Sequence, residues 1–400
     1  MEEAGIKQLC SKCNIYVGLW LLYNLQGILY SSGGLLSQVL LAIILVWSIF
    51  YFFKVNLIQS FPIYIKGLNI LLIMFCIYGT FLIISGKQLY ISEVGVTNVR
   101  NIDYLKSILI SLLPIYPMYY YARRNQFTYK HLYIWFYFFL IVVLLQYFRT
   151  QREMLDIVTA DEVTNNSGYL FVSLLPCLVI YRRKRLIQYI FLSISVFFIL
   201  ASVKRGAILI GVLSSIFIIV YNILNSSRKT RIWTLLLSVF ILFISWQVVS
   251  HMMETNDYFN LRMEQTLDGD DSNRSSMYKN LFDVFEKQSS FIQMLFGRGA
   301  WGTLTVNMNF AHNDWLEILI NQGLLGILIF LVYWILFFIE SRNDKLSKSS
   351  RFCLFLIFFI CLSKTIFSMS YSDMNIYIVS VLGLALADGF KEIDLQDKMN

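Results

Sequence analysis

Residues 315–339 read WLEILINQGLLGILIFLVYWILFFI, an apolar run with a single charged residue, Glu317. A stretch of this polarity crosses the hydrocarbon core of a bilayer as one helix when it has about 17–25 residues. Lipid offers backbone groups no hydrogen-bond partners, so a spanning segment of this kind is helical. We therefore predict an all-α polytopic integral membrane protein with about twelve transmembrane helices. The other apolar stretches lie near 14–30, 35–53, 67–85, 105–121, 131–148, 167–181, 186–202, 205–224, 232–250, 352–368 and 373–390.

The composition of the chain agrees with this class. Hydrophobic residues make up 57% of the 400 residues and charged residues 14%, with a mean hydropathy of +0.62. Soluble globular proteins carry roughly 25% charged residues, so a soluble fold is excluded. The net charge of +8 does not indicate nucleic-acid binding, because no basic stripe with interleaved aromatic residues lies in a polar segment.

Basic residues predict the orientation of the bundle. The densest clusters, residues 182–185 and residues 123–124, fall in loops on the same side as the amino terminus. Lys and Arg favour the cytoplasmic side, so we expect both termini in the cytoplasm and the protein in the cytoplasmic (inner) membrane. Glu2 and Glu3 open the chain and no small-residue cleavage site follows the first apolar run, so no signal peptide is expected.

This orientation divides the chain into three parts. Residues 1–250 hold transmembrane helices 1–9, and residues 315–400 hold helices 10–12 and a cytoplasmic tail. Between them, residues 251–314 form a large extracytoplasmic loop. A chain that keeps most of its residues in lipid and exposes one polar segment of this size is expected to work there, so we predict that this loop is catalytic.

Two patterns typical of metal sites do not predict one here. Cys10 and Cys13 form a C-x-x-C pair, but no second pair or His cluster completes a zinc site. Asp268 and Asp270 have D-x-D spacing, but Asn273 stands where a calcium loop requires glycine. We therefore expect no metal.

Two cations are expected to face outward at the edge of the membrane. Lys204 and Arg205 lie in a very short turn before Gly206, which permits a tight backbone. Charge at the boundary of the hydrocarbon is costly and marks a functional site by default. The alternative is that both side chains reach to lipid phosphates.

The polar loop contains a second candidate cation, Arg274. Met277, Leu281 and Phe285 recur at four-residue intervals, which indicates an amphipathic helix over residues 275–285, expected to lie on the membrane surface. Arg274 then falls near its amino terminus, where backbone N–H groups also favour anions.

The end of the loop supplies the remaining candidates. Residues 297–302 read GRGAWG, a glycine-rich turn that contains Arg298 and places Trp301 at the membrane interface. It lacks the pattern of a phosphate-binding P-loop. His312, one of three histidines, is followed by Asn313 and Asp314 where the chain re-enters the membrane. Taken alone, His312 is typical of an interfacial histidine.

The ordered set of these motifs resembles the O-antigen polymerase and O-antigen ligase superfamily of bacterial polysaccharide assembly. The resemblance is sharpest over residues 200–335, where Arg-Gly opens one span and Asn-Arg precedes a helix in the loop. It continues through LFGRG at residues 295–299, AHNDWL at 311–316 and INQGLLG at 320–326. Lys204 departs from the pattern, which commonly has a small residue there, and the N-terminal half matches only in hydropathy.

The resemblance implies a membrane glycosyltransferase bundle of the GT-C-like type. Its substrates are an undecaprenyl-pyrophosphate-linked oligosaccharide donor and an acceptor glycan, and its reaction needs neither a metal nor a nucleotide cofactor. It identifies Arg205, Arg274 and His312 as catalytic residues. It also implies membrane lipids, a chain-length regulator and a flippase as partners.

The residues suit that chemistry. Arginine offers always-charged donors for phosphate oxygens, so Arg205 and Arg274 are expected to bind the pyrophosphate. Histidine titrates near neutral pH and suits general-base work, so His312 is expected to activate the acceptor hydroxyl. The expected substrate-binding residues are Lys204, Arg298, Asn313 and Asp314, of which Asn313 or Asp314 would orient His312 or the sugar.

Three functions remain open from the sequence. A polymerase would join repeat units of O-antigen or capsule, and a ligase would move finished glycan onto lipid A-core or protein. A flippase or transporter would bind the same lipid without chemistry. That last alternative predicts charges scattered through the spans, and Lys364 is the clearest such residue. We expect it near the outer end of its helix, within snorkelling reach of the interface.

Overall fold

The computed structural model describes residues 12–30, 34–58, 60–86, 100–155, 165–226, 228–255, 274–307, 310–368 and 374–398. Cys10, the D-x-D pair at Asp268 and Asp270, and residues 256–273 of the predicted loop lie outside the described residues. Cys13 is buried in the core.

The described residues form helices and no strand. In chain order the α-helices are α1 Lys12–Leu29, α2 Leu35–Asn56, α3 Ile63–Ser85, α4 Asn101–Leu112, α5 Ile115–Arg123, α6 Tyr129–Leu155, α7 Gly168–Leu174, α8 Arg185–Ala201, α9 Arg205–Leu224, α10 Arg228–Thr255, α11 Arg274–Gln288, α12 Phe291–Phe296, α13 Gly302–Asn307, α14 Asp314–Ser341, α15 Lys348–Phe367, α16 Ile376–Leu386 and α17 Lys391–Lys398. A 3₁₀ helix, Leu175–Tyr181, continues α7. The prediction of an all-α membrane protein is confirmed.

Within the described residues, six helices are long and apolar enough to cross a membrane, so the chain is a multi-pass membrane protein. They are Leu35–Asn56, Ile63–Ser85, Tyr129–Glu153, Arg205–Leu224, Asp314–Ser341 and Lys348–Phe367. Shorter apolar helical segments cover Gly168–Tyr181, Arg185–Ala201 and Ile376–Leu386. Each predicted apolar stretch coincides with a helix or a pair of helices, whereas the count of twelve crossings stays a prediction.

Two predicted spans are not single α-helices. The stretch at 105–121 divides into α4 and α5 at Pro114, because proline has no N–H to donate to the carbonyl four residues earlier and its ring clashes with that turn. The stretch at 167–181 divides into the short α7 and the 3₁₀ helix, where Pro176 stands near the start.

Aromatic packing joins α3 and α14, two helices that are far apart in the chain. The hydroxyl groups of Tyr64 and Tyr333 lie 3.1 Å apart, and the ring centres of Tyr64 and Phe337 lie 4.5 Å apart. Gly67 lets Tyr333 and its neighbours approach the backbone of α3 closely. This contact holds α14, which begins directly after His312, against the N-terminal half of the bundle.

One end of the bundle collects several helix termini, and we call it the site end. Here α8 ends at Ala201, α9 begins at Arg205 and α14 begins at Asp314. The last turn of α15 reaches Phe367, and α16 begins after Asn375. Because helix ends carry unpaired backbone groups, this end of the bundle needs polar partners from elsewhere in the chain.

The helix α14 is interrupted at Gly323, whose φ of 68° and ψ of −162° are not helical. The break frees carbonyls of the preceding turn, and the glycine-rich turn supplies donors for them. The N–H of Arg298 donates to the carbonyl of Ile320 (2.8 Å), and the N–H of Gly299 donates to that of Asn321 (3.0 Å). The backbone is therefore satisfied where lipid would leave it unpaired.

The glycine-rich turn was predicted, but its location was not. Trp301, expected at the membrane interface, is instead 7% exposed and packs edge-to-face on Tyr104 with ring centres 5.7 Å apart. Residues 297–302 therefore lie against the protein, because the interrupted helix needs their N–H groups as partners.

Replacing Gly297 by alanine should lower thermal stability strongly. Gly297 has a φ of 75°, and a side chain there would run into the backbone of Asn321. The left-handed conformation alone costs about 1–2 kcal/mol for other residues, and the clash adds to it. Gly27 is the matched control, because space around its position is open and Gly27→Ala is expected to leave stability unchanged or raise it. Thermal unfolding of both purified variants in one detergent tests this. Equal melting temperatures for Gly297→Ala and the wild type would contradict it.

Candidate active site

A cavity of about 560 Å³ lies at the site end of the bundle. Lys204, His312 and Lys364 line it, together with uncharged polar and aromatic side chains from α1, α6 and the turn before α7. The described lining residues include no carboxylate. A concave site whose described lining contains lysines and no carboxylate is suited to an anionic ligand.

The last turn of α15 organises the site. Nη1 of Arg274 donates to the carbonyl of Phe367 (3.3 Å), and Nδ2 of Asn313 donates to that of Ile366 (3.4 Å). Nε1 of Trp315 donates to Oγ1 of Thr365 (2.9 Å). The carbonyls at a helix C-terminus lack partners within the helix and favour cations. Residues from three separate parts of the chain are thereby held at one helix end.

Lys204 and Arg205 are positioned by a close contact at the start of α9. Gly206 is buried, and the space that a side chain would need there is occupied by the hydroxyl of Tyr169 and the Cβ of Phe367. Lys204 lines the cavity. Arg205, like Arg274, is not among the described residues that line it, and it begins α9 beside that contact.

The backbone of the site contains two residues in the left-handed region. His312 has a φ of 51° and Val203, directly before Lys204, has a φ of 53°. For a β-branched residue such as valine this conformation is an outlier. Such strain of about 1–3 kcal/mol persists only where surrounding contacts impose it, and it clusters at functional sites.

His312 stands in the cavity as a neutral base. Burial lowers the pKa of its imidazole, and the positive charges of Arg274 and then Lys204 lower the pKa further. Among the described residues, none forms a hydrogen bond with this imidazole. At neutral pH the ring is therefore unprotonated and available to accept a proton.

Asn313 and Asp314 take part in starting α14. Oδ1 of Asn313 accepts from the N–H groups of Trp315 (3.0 Å) and Leu316 (3.2 Å), which makes Asn313 the N-cap. Asp314 is fully buried in the first helical turn, where a negative charge is favoured. Asn313 and Asp314, the two residues that follow His312, thus fix the direction of the chain after it.

Arg298 lies apart from the other predicted residues. Its Nη2 donates to the carbonyl of Gln288 (3.2 Å) and to Oγ of Ser289 (3.4 Å), at the end of α11. It lines a second cavity of about 1020 Å³ between α3, the glycine-rich turn and α14. The structure therefore does not bring Arg298 together with Lys204 and His312.

The predicted amphipathic helix exists as α11 and begins at Arg274, but its apolar side faces protein. Leu281 is fully buried and packs with Ala311, Leu316 and Ile320. The expected position on the membrane surface is corrected accordingly. The apolar stripe instead covers the segment that contains His312, because the start of α14 also presents apolar residues that need burial.

Sequence reasoning missed Glu317. Its carboxylate is fully buried and accepts from Oγ1 of Thr303 (2.5 Å), the N–H of Ala311 (2.5 Å) and Nδ2 of Asn321 (3.2 Å). It thereby ties the residue before His312 to α13 and α14. The only sequence signal was an acidic residue within an apolar run.

Lys364 was expected to reach to the membrane interface, but its side chain lines the cavity. Nζ lies 4.7 Å from the centre of the Tyr169 ring, a cation–π geometry. The same Tyr169 also contacts Gly206, so it lies between Lys364 and the turn that contains Lys204. Lys364 is thus the second lysine among the described residues that line the cavity, and a basic residue in an apolar run was its signal.

Comparison with known protein families finds one match. Residues 190–331 match a family model described as O-antigen ligase. No curated protein sequence matches the chain. The matched segment contains Lys204, Arg205, Arg274 and His312, whereas Lys364 and the cavity residues of α1 and α6 lie outside it.

Glu317→Ala should destabilise the protein by removing the acceptor of three buried donors. Each buried donor left unsatisfied costs about 1–3 kcal/mol, so a clear fall in melting temperature is expected. Glu286 on α11 is exposed, and Glu286→Ala serves as the control that changes charge without unpairing a buried group. If both variants melted together with the wild type, the role assigned to Glu317 would be wrong.

Proposed function

Because residues 190–331 belong to the O-antigen polymerase and O-antigen ligase superfamily, we propose that the chain is a membrane glycosyltransferase acting on lipid-linked glycans. In this proposal it is a polymerase that joins undecaprenyl-pyrophosphate-linked repeat units of O-antigen or capsule. The reaction takes place at the outer face of the cytoplasmic membrane. The observation that carries the proposal is the cavity lined by Lys204, Lys364 and His312, in which burial and nearby positive charge lower the pKa of His312.

The reaction follows from these groups. A hydroxyl oxygen of the acceptor attacks the anomeric carbon of the donor sugar and forms the new glycosidic bond. The bond from that carbon to the pyrophosphate oxygen breaks, and its electron pair leaves with undecaprenyl pyrophosphate. His312 takes the hydroxyl proton, and positioned general bases contribute about 10²–10⁴-fold to rates.

The cations stabilise the leaving group. Negative charge grows on the bridging oxygen of the pyrophosphate as its bond breaks, and preorganised donors aimed at developing charge usually supply the largest catalytic effect. In the proposal Arg205 and Arg274 bind the pyrophosphate, and Lys204 and Lys364 complete the anion site from the cavity wall. Arg274 is held at the cavity edge by Phe367, which lies beside the lining residue Ser368.

The alternative within the same superfamily is a ligase that transfers the glycan to lipid A-core or protein, and the family match is common to both reactions. Both reactions use the same leaving group and the same base. A chain-length regulator and a flippase would be partners of the polymerase. A transporter without chemistry is less well supported. Carrying a lipid requires no proton acceptor, whereas His312 is held in a left-handed backbone conformation close to positive charge.

The glycans of a deletion strain test the proposal. Single repeat units on lipid A-core would indicate a lost polymerase, whereas long chains accumulated on undecaprenyl pyrophosphate would indicate a lost ligase. Complementation with wild-type protein should restore chain growth. Arg205→Ala, Arg274→Ala and His312→Ala should each abolish it at normal protein levels. Wild-type chain lengths from all three variants would refute the assigned chemistry.

The rate should depend on pH through His312. Since its pKa is lowered, the neutral base persists to more acidic pH than an ordinary histidine of pKa about 6.5. The ratio kcat/KM, which reports the ligand-free protein, should therefore fall only as pH drops through the lowered value. Lys204→Met removes one of the charges that lower this pKa, so the acidic limb should move to higher pH. Measuring kcat/KM for the donor between pH 5 and about pH 8 checks the shift. An acidic limb that stayed in place would exclude His312 as the base.

A further inference from the structure

The lining of the cavity also contains a set of uncharged polar side chains, which we call the polar wall. Asn24 of α1, Ser111 of α4, Gln146 of α6 and Asn166 before α7 form it. We infer that this wall is a carbohydrate subsite that holds the sugar rings of the donor next to the pyrophosphate. The inference rests on the proposed function and names residues that recognise its substrate.

Several polar groups of this wall lack protein partners. Among the described residues, the side-chain amides of Asn24 and Asn166 form no hydrogen bond. The hydroxyl of Ser111 also has none, although Ser111 is 1% exposed. More than about nine in ten buried polar groups are paired, so the buried hydroxyl of Ser111 points to a ligand that brings its own donors and acceptors. Asn24 is half-buried and Asn166 is exposed, so their amides are accessible to the same ligand.

The same wall carries aromatic rings. Trp20 and Tyr23 line the cavity and pack edge-to-face with ring centres 5.9 Å apart. They lie on α1 within one turn of Asn24, so they share a face of that helix. A sugar ring presents apolar C–H groups on its faces and hydroxyl groups around its edge. Aromatic rings beside amides match both parts of that surface.

The absence of charge on this wall also suits a sugar. Amides and hydroxyl groups both donate and accept, as hydroxyl and acetamido groups of a sugar require, and on α6 Gln146 and Thr150 already form one such pair at 3.3 Å. Polar side chains within a bundle of membrane helices are costly and mark a functional path. The lysines that line the cavity suit the pyrophosphate, which adjoins the first sugar of the donor.

The residues of the subsite and the residues proposed for the chemistry lie in different parts of the chain. Asn24, Ser111 and Gln146 all lie before residue 190, where the family match begins. His312, Lys204 and Arg274 lie within the match. Residues that choose the sugar are therefore separated from residues that handle the pyrophosphate and the proton. Substitutions on α1 and α6 should change which glycan binds without changing the chemistry.

Binding of two lipids to the full-length protein in nanodiscs tests the subsite. One probe is undecaprenyl pyrophosphate without sugar, and the other is the lipid-linked repeat unit extracted from the deletion strain. Asn24→Ala and Gln146→Ala should each weaken binding of the glycosylated lipid about threefold to tenfold, the loss of one neutral hydrogen bond. Neither should change binding of the bare lipid.

Two further variants serve as positive and negative controls. Lys364→Met should weaken both lipids, because both carry the pyrophosphate. Gln126→Ala, an exposed amide in the turn between α5 and α6, should weaken neither. The inference is overturned if Asn24→Ala and Gln146→Ala weaken both lipids equally, or if they affect neither while the wild type binds the glycosylated lipid. Failure of the proposed function is read separately, from a deletion strain whose glycan chain lengths match those of the wild type.

Discussion

Every backbone group in this bundle must find a partner inside the protein, because the surrounding lipid provides none. Regular helices pair their backbone groups along their length but leave some of them unpaired at their ends and breaks. The candidate site lies at such helix ends. The last carbonyls of α15 accept hydrogen bonds from Arg274 and Asn313, and the interrupted turn of α14 accepts them from Arg298 and Gly299. The need to satisfy such carbonyls thus fixes the cationic side chain of Arg274 at the end of α15.

The cavity gathers positive charge beside a histidine. Lys204 and Lys364 line it together with His312, and the described lining residues include no carboxylate. Val203 and His312 hold left-handed backbone beside them. Positive charge from Arg274 and Lys204 favours the neutral form of His312. A bound pyrophosphate would compensate that charge and raise the pKa of His312 again, so binding of an anion and protonation of this histidine are coupled.

The sequence predicted those features that depend on local pattern. Apolar run lengths predicted the helices, the four-residue spacing predicted α11, and the position of His312 before an apolar run predicted its place beside a helix start. Features that depend on distant partners were missed. Nothing local to Lys364 shows that Tyr169 stands beside it, and nothing in residues 275–285 shows that α14 covers their apolar side. The wall formed by Asn24, Ser111 and Gln146 joins helices that are far apart in the chain.

The break at Gly323 also constrains the order in which the chain is assembled during synthesis. The part of α14 before the break contains Asp314, Glu317, Asn321 and Gln322, which is a poor segment for insertion into lipid on its own. Its partners, the glycine-rich turn and Thr303, precede it in the chain and leave the ribosome first. They are therefore already present when α14 emerges. The polar half-helix can then enter the membrane as part of a preformed protein surface rather than as a separate span.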